Sequence, residues 1–583
     1  MTRRASLAVA LTAAIALAAC SASPPVAVER ADLSTGELQA DRERGLPDVG
    51  AERPPPPVDT DLPVVDTPPS TLSWGQCGQF DIPDVDVLGT SGWQCTTLTA
   101  PIDPFGDTDE AGSVELALTR HPATGDRRGS ILINPGGPGG DGLPTAWGVR
   151  GSMSADILRG FDIVAWDPRG VGQSTPKIDC DDDTPPGAVE FIARCVEATG
   201  PLSSHLSAPY SAADMEAIRI ALGEDELNYL GYSYGAILGA TYATAHPDHV
   251  GAFVLDGVTD PLTGGPDGPF NDGFPTLAGD GFDAAIARFV ALCNATDRCL
   301  FSLDAATVLD DLGVQVRVLP TPDFAGPPDV VDTDAFNDLI DDSMTFAGQW
   351  ELLATALEDA DRGDASALAS LSAGPPGDDQ PGTDADAEED SGGESDFSEA
   401  NFMIYCADLG RLVSDSSFCD DMPANPRSLT PVAEVEVERE ILVIGTEFDP
   451  LTPGYHAPAF AEALGNAMHI IWEGVGHTAY PGWTTCIDDV VDAQFLRQPL
   501  VEDGSRCAFL LGIDDDQALG DELFGHGDIE SQNLLERRLA DQPASECLAE
   551  VLNAESDQVI SHVALDVTSD AAETAFDDAL SQC

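Results

Sequence analysis

Leu227-Asn228-Tyr229-Leu230-Gly231-Tyr232-Ser233-Tyr234-Gly235 is the stretch on which the fold of this chain turns. Its first six residues form a short, mostly apolar run, the pattern of a buried strand. Immediately after Gly235, Ala236 to about Ala245 reads as a helix, stopped by Pro247. A G-x-S-x-G turn between a strand and a helix is the setting in which the central serine becomes a nucleophile. The glycines allow a sharp turn that pushes Ser233 out at the edge of a sheet. The following helix then points its N-terminus at a developing oxyanion.

Working outward, Val114–Thr119, Ile131–Asn134, Phe161–Trp166 and Ala252–Asp256 also read as buried strands. Ala212–Leu222 lies between two of them as an amphipathic helix, with Met215, Ile218 and Leu222 on one face. Strands resume only at Ile441–Gly445 and His469–Trp472. Alternating strands and helices predict a mostly parallel α/β sheet covered on both faces. The span from Asp256 to Ile441 is too long for one crossover. It holds helical patterns at Phe282–Cys293, Phe336–Phe346 and Trp350–Leu357, and a Gly/Asp/Glu/Ser run over 374–399. This span is expected to be a large helical cap over the carboxyl edge of the sheet, interrupted by a disordered acidic loop.

A nucleophilic serine needs a base, and the base needs an orienting carboxylate. Of nine histidines, His477 alone follows a strand directly, in Gly474-Val475-Gly476-His477. His246 and His249 sit too close behind the nucleophile helix to fold back over Ser233, and His526, between two glycines, has no strand before it. Asp449 follows the strand Ile441–Gly445 and gives the chain order Ser, Asp, His. Asp256 also ends a strand and is the alternative acid. For the oxyanion hole, Asn134-Pro135-Gly136-Gly137-Pro138-Gly139-Gly140 follows Ile131–Ile133 and lets backbone N–H groups approach a carbonyl closely. The donors are assigned to the backbone of Gly137 and of Tyr234, the residue after the nucleophile. No metal or organic cofactor is expected, because a triad and an oxyanion hole supply the chemistry.

Five motifs, in order, resemble the prolyl-aminopeptidase-like α/β-hydrolase serine peptidases. They are Asn134-Pro135-Gly136-Gly137-Pro138-Gly139, Trp166-Asp167-Pro168-Arg169-Gly170-Val171-Gly172-Gln173-Ser174, Gly231-Tyr232-Ser233-Tyr234-Gly235, Asp449-Pro450-Leu451-Thr452-Pro453 and Gly476-His477. The last two, with Cys486 and Cys507 beyond them, are similar to the secreted tripeptidyl aminopeptidase branch. The resemblance runs from about Trp74 to Cys507. It implies an α/β-hydrolase core with a helical cap, release of short peptides from free N-termini, and Ser233, Asp449 and His477 as the triad. It also implies cap carboxylates that hold the substrate ammonium. Glu399 and Asp408 flank Cys406, but in so acidic a chain solvated surface is the plainer reading of both, and neither is placed in the site. A carboxylic ester hydrolase on the same fold is the alternative function.

The N-terminus speaks for export. Arg3 and Arg4 precede an apolar run from Ala5 to Ala19 that ends in Leu17-Ala18-Ala19-Cys20. The run is too short and too alanine-rich for a stable membrane span. Leu-Ala-Ala-Cys looks like a bacterial lipobox, which makes Cys20 the expected lipidation site and the extracytoplasmic face of the cell membrane the expected location. Residues 1–20 are then a lipoprotein signal peptide and 21–72 a Pro-rich spacer. The α/β-hydrolase core follows in two parts, 73–260 and 438–507. The cap occupies 261–437, and 508–583 forms an acidic helical tail. Of thirteen cysteines, twelve remain after Cys20, and no C-x-x-C pair suggests a zinc ribbon or a redox motif. In an oxidising compartment, neighbours in sequence are the preferred partners: Cys77 with Cys95, Cys180 with Cys195, Cys293 with Cys299, Cys406 with Cys419, Cys486 with Cys507, and Cys547 with Cys583.

Charge narrows the field further. The 583 residues include 26 Lys+Arg against 102 Asp+Glu, a formal net charge of −76, and Lys177 is the only lysine. Such a surface lacks the clustered cations that phosphate contacts need, so nucleic acid is excluded as a partner; peptides as substrates are what the resemblance implies. With 43% hydrophobic residues the chain still buries a sizeable core. Self-repulsion of this size suggests salty surroundings, where screening is strong. A melting temperature unchanged by removing salt would overturn that expectation.

Overall fold

The computed structural model describes residues 72–78, 80, 92–106, 112–178, 191–259, 280–299, 333–372, 392–409 and 419–509, the later spans with gaps of at most three residues, together with Cys180 and Leu519. Cys20, His526, the pair Cys547/Cys583 and nearly all of the expected signal, spacer and tail lie outside the described residues. Among the described residues no helix is long and apolar enough to cross a membrane.

Among the described residues nine strands form one sheet: β1 (Gln94–Pro101), β2 (Ser113–His121), β3 (Gly129–Asn134), β4 (Phe161–Trp166), β5 (Leu227–Tyr232), β6 (Val250–Asp256), β7 (Ile441–Phe448), β8 (Ala467–Val475) and β9 (Ser505–Cys507). Their order across the sheet is β1-β2-β4-β3-β5-β6-β7-β8-β9. Only the β1–β2 and β2–β4 pairings are antiparallel; the others are parallel. Every residue of β3, β4, β5 and β6 is buried, as a parallel sheet covered on both faces requires. Two hydrophobic clusters, one on each face, fill the space between sheet and helices. Trp166 and Trp472 are fully enclosed in them, and truncating such a side chain to Ala would cost about 3–5 kcal/mol.

The expected strands are all present, most of them longer by one to three residues at an end, while β1 and β9 were not anticipated. The helix after β5 spans Tyr234–Ala245, and the one before it Ala208–Leu222. Within the insertion, helices run over Asp280–Ala295, Thr333–Thr345, Trp350–Asp361, Ser366–Ser372 and Gly392–Leu409. The last of these corrects an expectation. Residues 392–399, expected within a disordered loop, form the first turns of a helix. Their Gly/Glu/Ser/Asp composition hid the continuation, where Ala400, Met403, Ile404 and Ala407 are buried on one face against the core. That burial, rather than local propensity, stabilises the helix.

Among the described residues five disulfides join pairs expected from sequence: Cys77–Cys95, Cys180–Cys195, Cys293–Cys299, Cys406–Cys419 and Cys486–Cys507. The chain past Cys507 begins on the core. The Trp472 indole donates to the Phe509 carbonyl at 3.1 Å, and Leu519 joins the same hydrophobic cluster.

Candidate active site

The carboxyl ends of β3, β5, β6 and β7 lie side by side, with Asn134 opposite Gly231, Tyr232 opposite Asp256, and Asp256 opposite Ile444. Ser233 follows β5 at φ 54°, a conformation an L-residue adopts only when its surroundings force it. Two close approaches do so. A methyl on Gly231 would sit 2.4 Å from the Gly235 carbonyl oxygen, and one on Gly235 2.8 Å from the Asn134 carbonyl oxygen. The Ser233 N–H donates to the Asp256 carbonyl at 2.8 Å, and the Tyr229 hydroxyl donates to the Gly235 carbonyl at 2.8 Å.

His477 sits on the turn after β8. Its Nδ1 lies 3.0 and 2.9 Å from the two carboxylate oxygens of Asp449, which is fully buried after β7. Asp449 also accepts from the N–H groups of Leu451 at 2.9 Å and Thr452 at 2.8 Å, and from the Thr452 hydroxyl at 2.7 Å. Burial pushes this carboxyl up, but the His477 charge and these hydrogen bonds outweigh it and hold it below the usual carboxylate range. For His477 burial disfavours the imidazolium, while Asp449 and then Asp256 favour it more strongly, so its pKa is raised. The His477 N–H donates to the Thr345 carbonyl at 2.8 Å, so the insertion steadies the turn from above.

Asp256, the alternative acid, is occupied otherwise. Its carboxylate accepts from the Ala479 N–H at 2.9 Å and the Tyr480 N–H at 2.8 Å. Burial raises it to about 7 against those two donors. One residue thus ties the nucleophile turn, through its carbonyl, to the histidine turn, through its side chain.

Ser233, Tyr234, His477, Thr452 and Gly137 line one cavity of about 590 Å³. Gly136, at φ 92°, lies against the nucleophile turn. A methyl there would meet the Tyr232 carbonyl oxygen at 2.4 Å and the Tyr234 nitrogen at 3.0 Å. The Gly136 N–H is taken by the Asn134 side chain at 3.0 Å. Tyr234 heads its helix, where backbone N–H groups have no partner within the helix. The structure therefore gathers Ser233, His477, Gly137 and Tyr234 at one cavity, with Asp449 directly behind the imidazole. Cys20 lies outside the described residues.

The helix Gly392–Leu409 closes the cavity from the cap side. The Asn401 amide donates to the Pro138 carbonyl at 2.9 Å, and Tyr405 and Asp408 face the cavity. Glu399 and Asp408 are both buried, which overturns the solvated-surface reading of both. Glu399 accepts from the Cys180 N–H at 2.9 Å, away from the cavity lining. Asp408 is the one carboxylate among the described residues of that lining. It accepts from the Tyr234 hydroxyl and, at 2.8 Å, from the Ala208 N–H, and burial lifts it to about 7. Sequence reasoning also missed Thr452. The Asp449-Pro450-Leu451-Thr452 run was its only signal, since a hydroxyl three residues after an acid can turn back onto it.

The Trp166–Ser174 motif proves to be scaffolding. Arg169 is buried, bonds Asp214 through two nitrogens at 2.8 and 2.7 Å, and donates to the Ile102 carbonyl. Asp167 accepts from the N–H groups of Leu143 and Gln173.

The family described as alpha/beta hydrolase fold matches residues 129–481 of the chain. The chain belongs to the alpha/beta hydrolase family. The relatives of this hydrolase include Serine protease Hip1 of Mycobacterium tuberculosis, 29% identical over 499 residues, covering 75% of this chain and 91% of the relative. Carboxylesterase B of Mycobacterium tuberculosis is 30% identical over 501 residues, covering 75% and 90%. Tripeptidyl aminopeptidase of Streptomyces coelicolor is 39% identical over 197 residues, covering 29% and 35%. The alpha/beta hydrolase match runs from β3 through the insertion to the turn after β8, leaving β1, β2 and β9 outside it.

Proposed function

We propose that this hydrolase is an exported serine exopeptidase, tethered through a lipid on Cys20, that cleaves peptides near free N-termini. Ser233 Oγ attacks the scissile carbonyl. His477, held by Asp449 through Nδ1, takes the serine proton at Nε2 and returns it to the leaving amine. The backbone N–H groups of Tyr234 and Gly137 receive the oxyanion. The serine protease and tripeptidyl aminopeptidase among the relatives support a peptide substrate.

The observation that carries the exopeptidase reading is Asp408. A buried ammonium needs a partner charge, and this carboxylate faces the same cavity as Ser233 and His477. Burial lifts its pKa to about 7, and a peptide ammonium beside it would favour the anion. The second reading, ester hydrolysis, is supported by the relative named Carboxylesterase B and by aliphatic and aromatic lining residues such as Val149, Ile237, Leu429 and Leu451.

Fluorogenic tripeptides with free and with acetylated N-termini separate the two, with Ser233→Ala as the blank and simple esters alongside. Cleavage of the free peptide alone is expected, and Asp408→Asn should raise KM for it at least tenfold. Equal cleavage of both peptides, or turnover of the esters only, would overturn the exopeptidase reading.

A further inference from the structure

At the far end of the nucleophile helix from Ser233, two histidines and a glutamate converge. His246 caps the helix Tyr234–Ala245, and His249 ends the short 3-10 turn Pro247–His249 that leads into β6. Glu216 reaches them from the neighbouring helix Ala208–Leu222. One donor atom from each of the three lies within 4.8 Å of the other two. His249 Nδ1 is 3.0 Å from Glu216 Oε1, yet the pair is not aligned as a hydrogen bond, and that buried nitrogen has no hydrogen-bond partner.

From this geometry we infer that Glu216, His246 and His249 form a binding site for a zinc-class divalent cation. Two imidazole nitrogens and one carboxylate oxygen are a common set of three protein ligands for such an ion, with a fourth position left to solvent. Tetrahedral bonds of about 2.0–2.1 Å place ligand atoms roughly 3.3 Å apart, so small side-chain rotations close the site. Both imidazoles are partly exposed, which gives the ion an entry path.

The surroundings suit a ligand carboxylate. Arg219 donates to both Glu216 oxygens, at 2.6 and 2.8 Å, and the Tyr242 hydroxyl donates to Oε2 at 2.9 Å. Those donors fix the carboxylate and keep it ionised, as outer partners of metal ligands do. They leave a lone pair on Oε1 facing His249. The Arg219 charge opposes a cation, and the adjoining surface offsets it. Pro247 and Asp248, between the two histidines, line a cleft whose other walls include Glu226, Glu434, Glu436 and Glu438. A cleft lined by carboxylates concentrates cations at its mouth.

A helix of twelve residues is about 18 Å long, so the site lies well away from Ser233. Its expected role is to clamp the end of the nucleophile helix onto the helix beside it, not to take part in hydrolysis. The test uses the full-length protein stripped with EDTA and titrated with zinc chloride against a chromophoric chelator. Expected are one zinc per chain with Kd at or below about 10 µM and a melting temperature raised by zinc. His246→Ala and His249→Ala should each weaken that site at least a hundredfold and abolish the rise. Neither should change the melting temperature in EDTA by more than a few degrees, nor the rate at which a fluorophosphonate labels Ser233. Calcium chloride, which favours oxygen ligands, should bind the variants and the parent alike. No tight zinc in the parent chain, or tight zinc that survives in the double histidine variant, would overturn the inference.

Discussion

Thr452→Val tests whether the hydroxyl beside the acid–base pair contributes to catalysis. The Thr452 hydroxyl donates to Asp449 Oδ2 at 2.7 Å and lies 3.1 Å from His477 Nδ1, inside a buried corner of the cavity. Valine keeps the shape and the backbone N–H that Asp449 also uses, at 2.8 Å, and removes only the hydroxyl. A hydrogen bond to a charged group is worth about 1.5–3 kcal/mol. At 1.36 kcal/mol per factor of ten, full expression in the transition state corresponds to a loss of roughly 10- to 150-fold in kcat/KM. The loss should fall on kcat, because the carboxylate matters most when the imidazolium forms. Steady-state kinetics on a fluorogenic peptide, with the rate of fluorophosphonate labelling as a second readout, measures it. Thr452→Ser restores the hydroxyl and should recover most of the activity. If Thr452→Val stays within twofold of the parent in both assays at an unchanged melting temperature, the hydroxyl does not support the pair and the reasoning fails.

Three further outcomes follow from the same geometry. The Asp256 charge adds to the raising of the His477 pKa, and neutral imidazole is the base in the proposed mechanism, so Asp256→Asn should move the acid limb of the kcat/KM profile to lower pH; an unmoved limb would show that Asp256 acts only as a strut. Gly136→Ala should cut kcat at least a hundredfold, because the added methyl displaces the Tyr232 carbonyl and the Tyr234 N–H, and a crystal structure of the variant would reveal the shift. Asp167, Asp256 and Asp408 are each raised to about 7 by burial. Between pH 4 and 7 the folded chain then holds more protons than the unfolded one, so the stability these groups contribute is lost as pH rises through that window. Thermal scans should give a higher melting temperature at pH 5 than at pH 8, and the reverse order would refute the assignment.

Much of the core was legible because its signals are local. Each parallel strand is a short apolar run, and the G-x-S-x-G turn carries its own stereochemistry in two glycines. β1 was missed because Gln94–Pro101 alternates threonines with few strong apolar residues, and only pairing with β2 makes it a strand. β9 is three residues long, too short to carry a period, and is held by Ile470, Ile471 and Trp472 opposite it. The helix Gly392–Leu409 was hidden by composition at its start and revealed only by what its later turns bury. Asp408 was illegible for a different reason. Among 102 carboxylates nothing in the sequence says which is buried, and its burial is set by Ala208 and Tyr234, 200 and 174 residues away.

The choice between two acids shows where local reading ends. Asp256 ends β6 and Asp449 follows β7; the two strands are neighbours in the sheet, and both carboxylates reach the turn after β8. What separates their roles is that turn. It presents its imidazole and the Thr478 N–H to Asp449, and the next two N–H groups, of Ala479 and Tyr480, to Asp256. A carboxylate that accepts only backbone donors fixes where the histidine turn lies, and one that accepts the ring fixes how the imidazole points. Because the Asp256 carbonyl also holds the Ser233 N–H, Ser233 and His477 are registered against one residue at the end of one strand. Exchanging the two functions would need a different turn after β8, not merely a different acid. The double variant Asp256→Asn/Asp449→Asn should therefore be no more active than Asp449→Asn alone. If instead Asp449→Asn kept substantial activity that Asp256→Asn then removed, Asp256 would be serving as the orienting acid and the division of labour drawn from this geometry would be wrong.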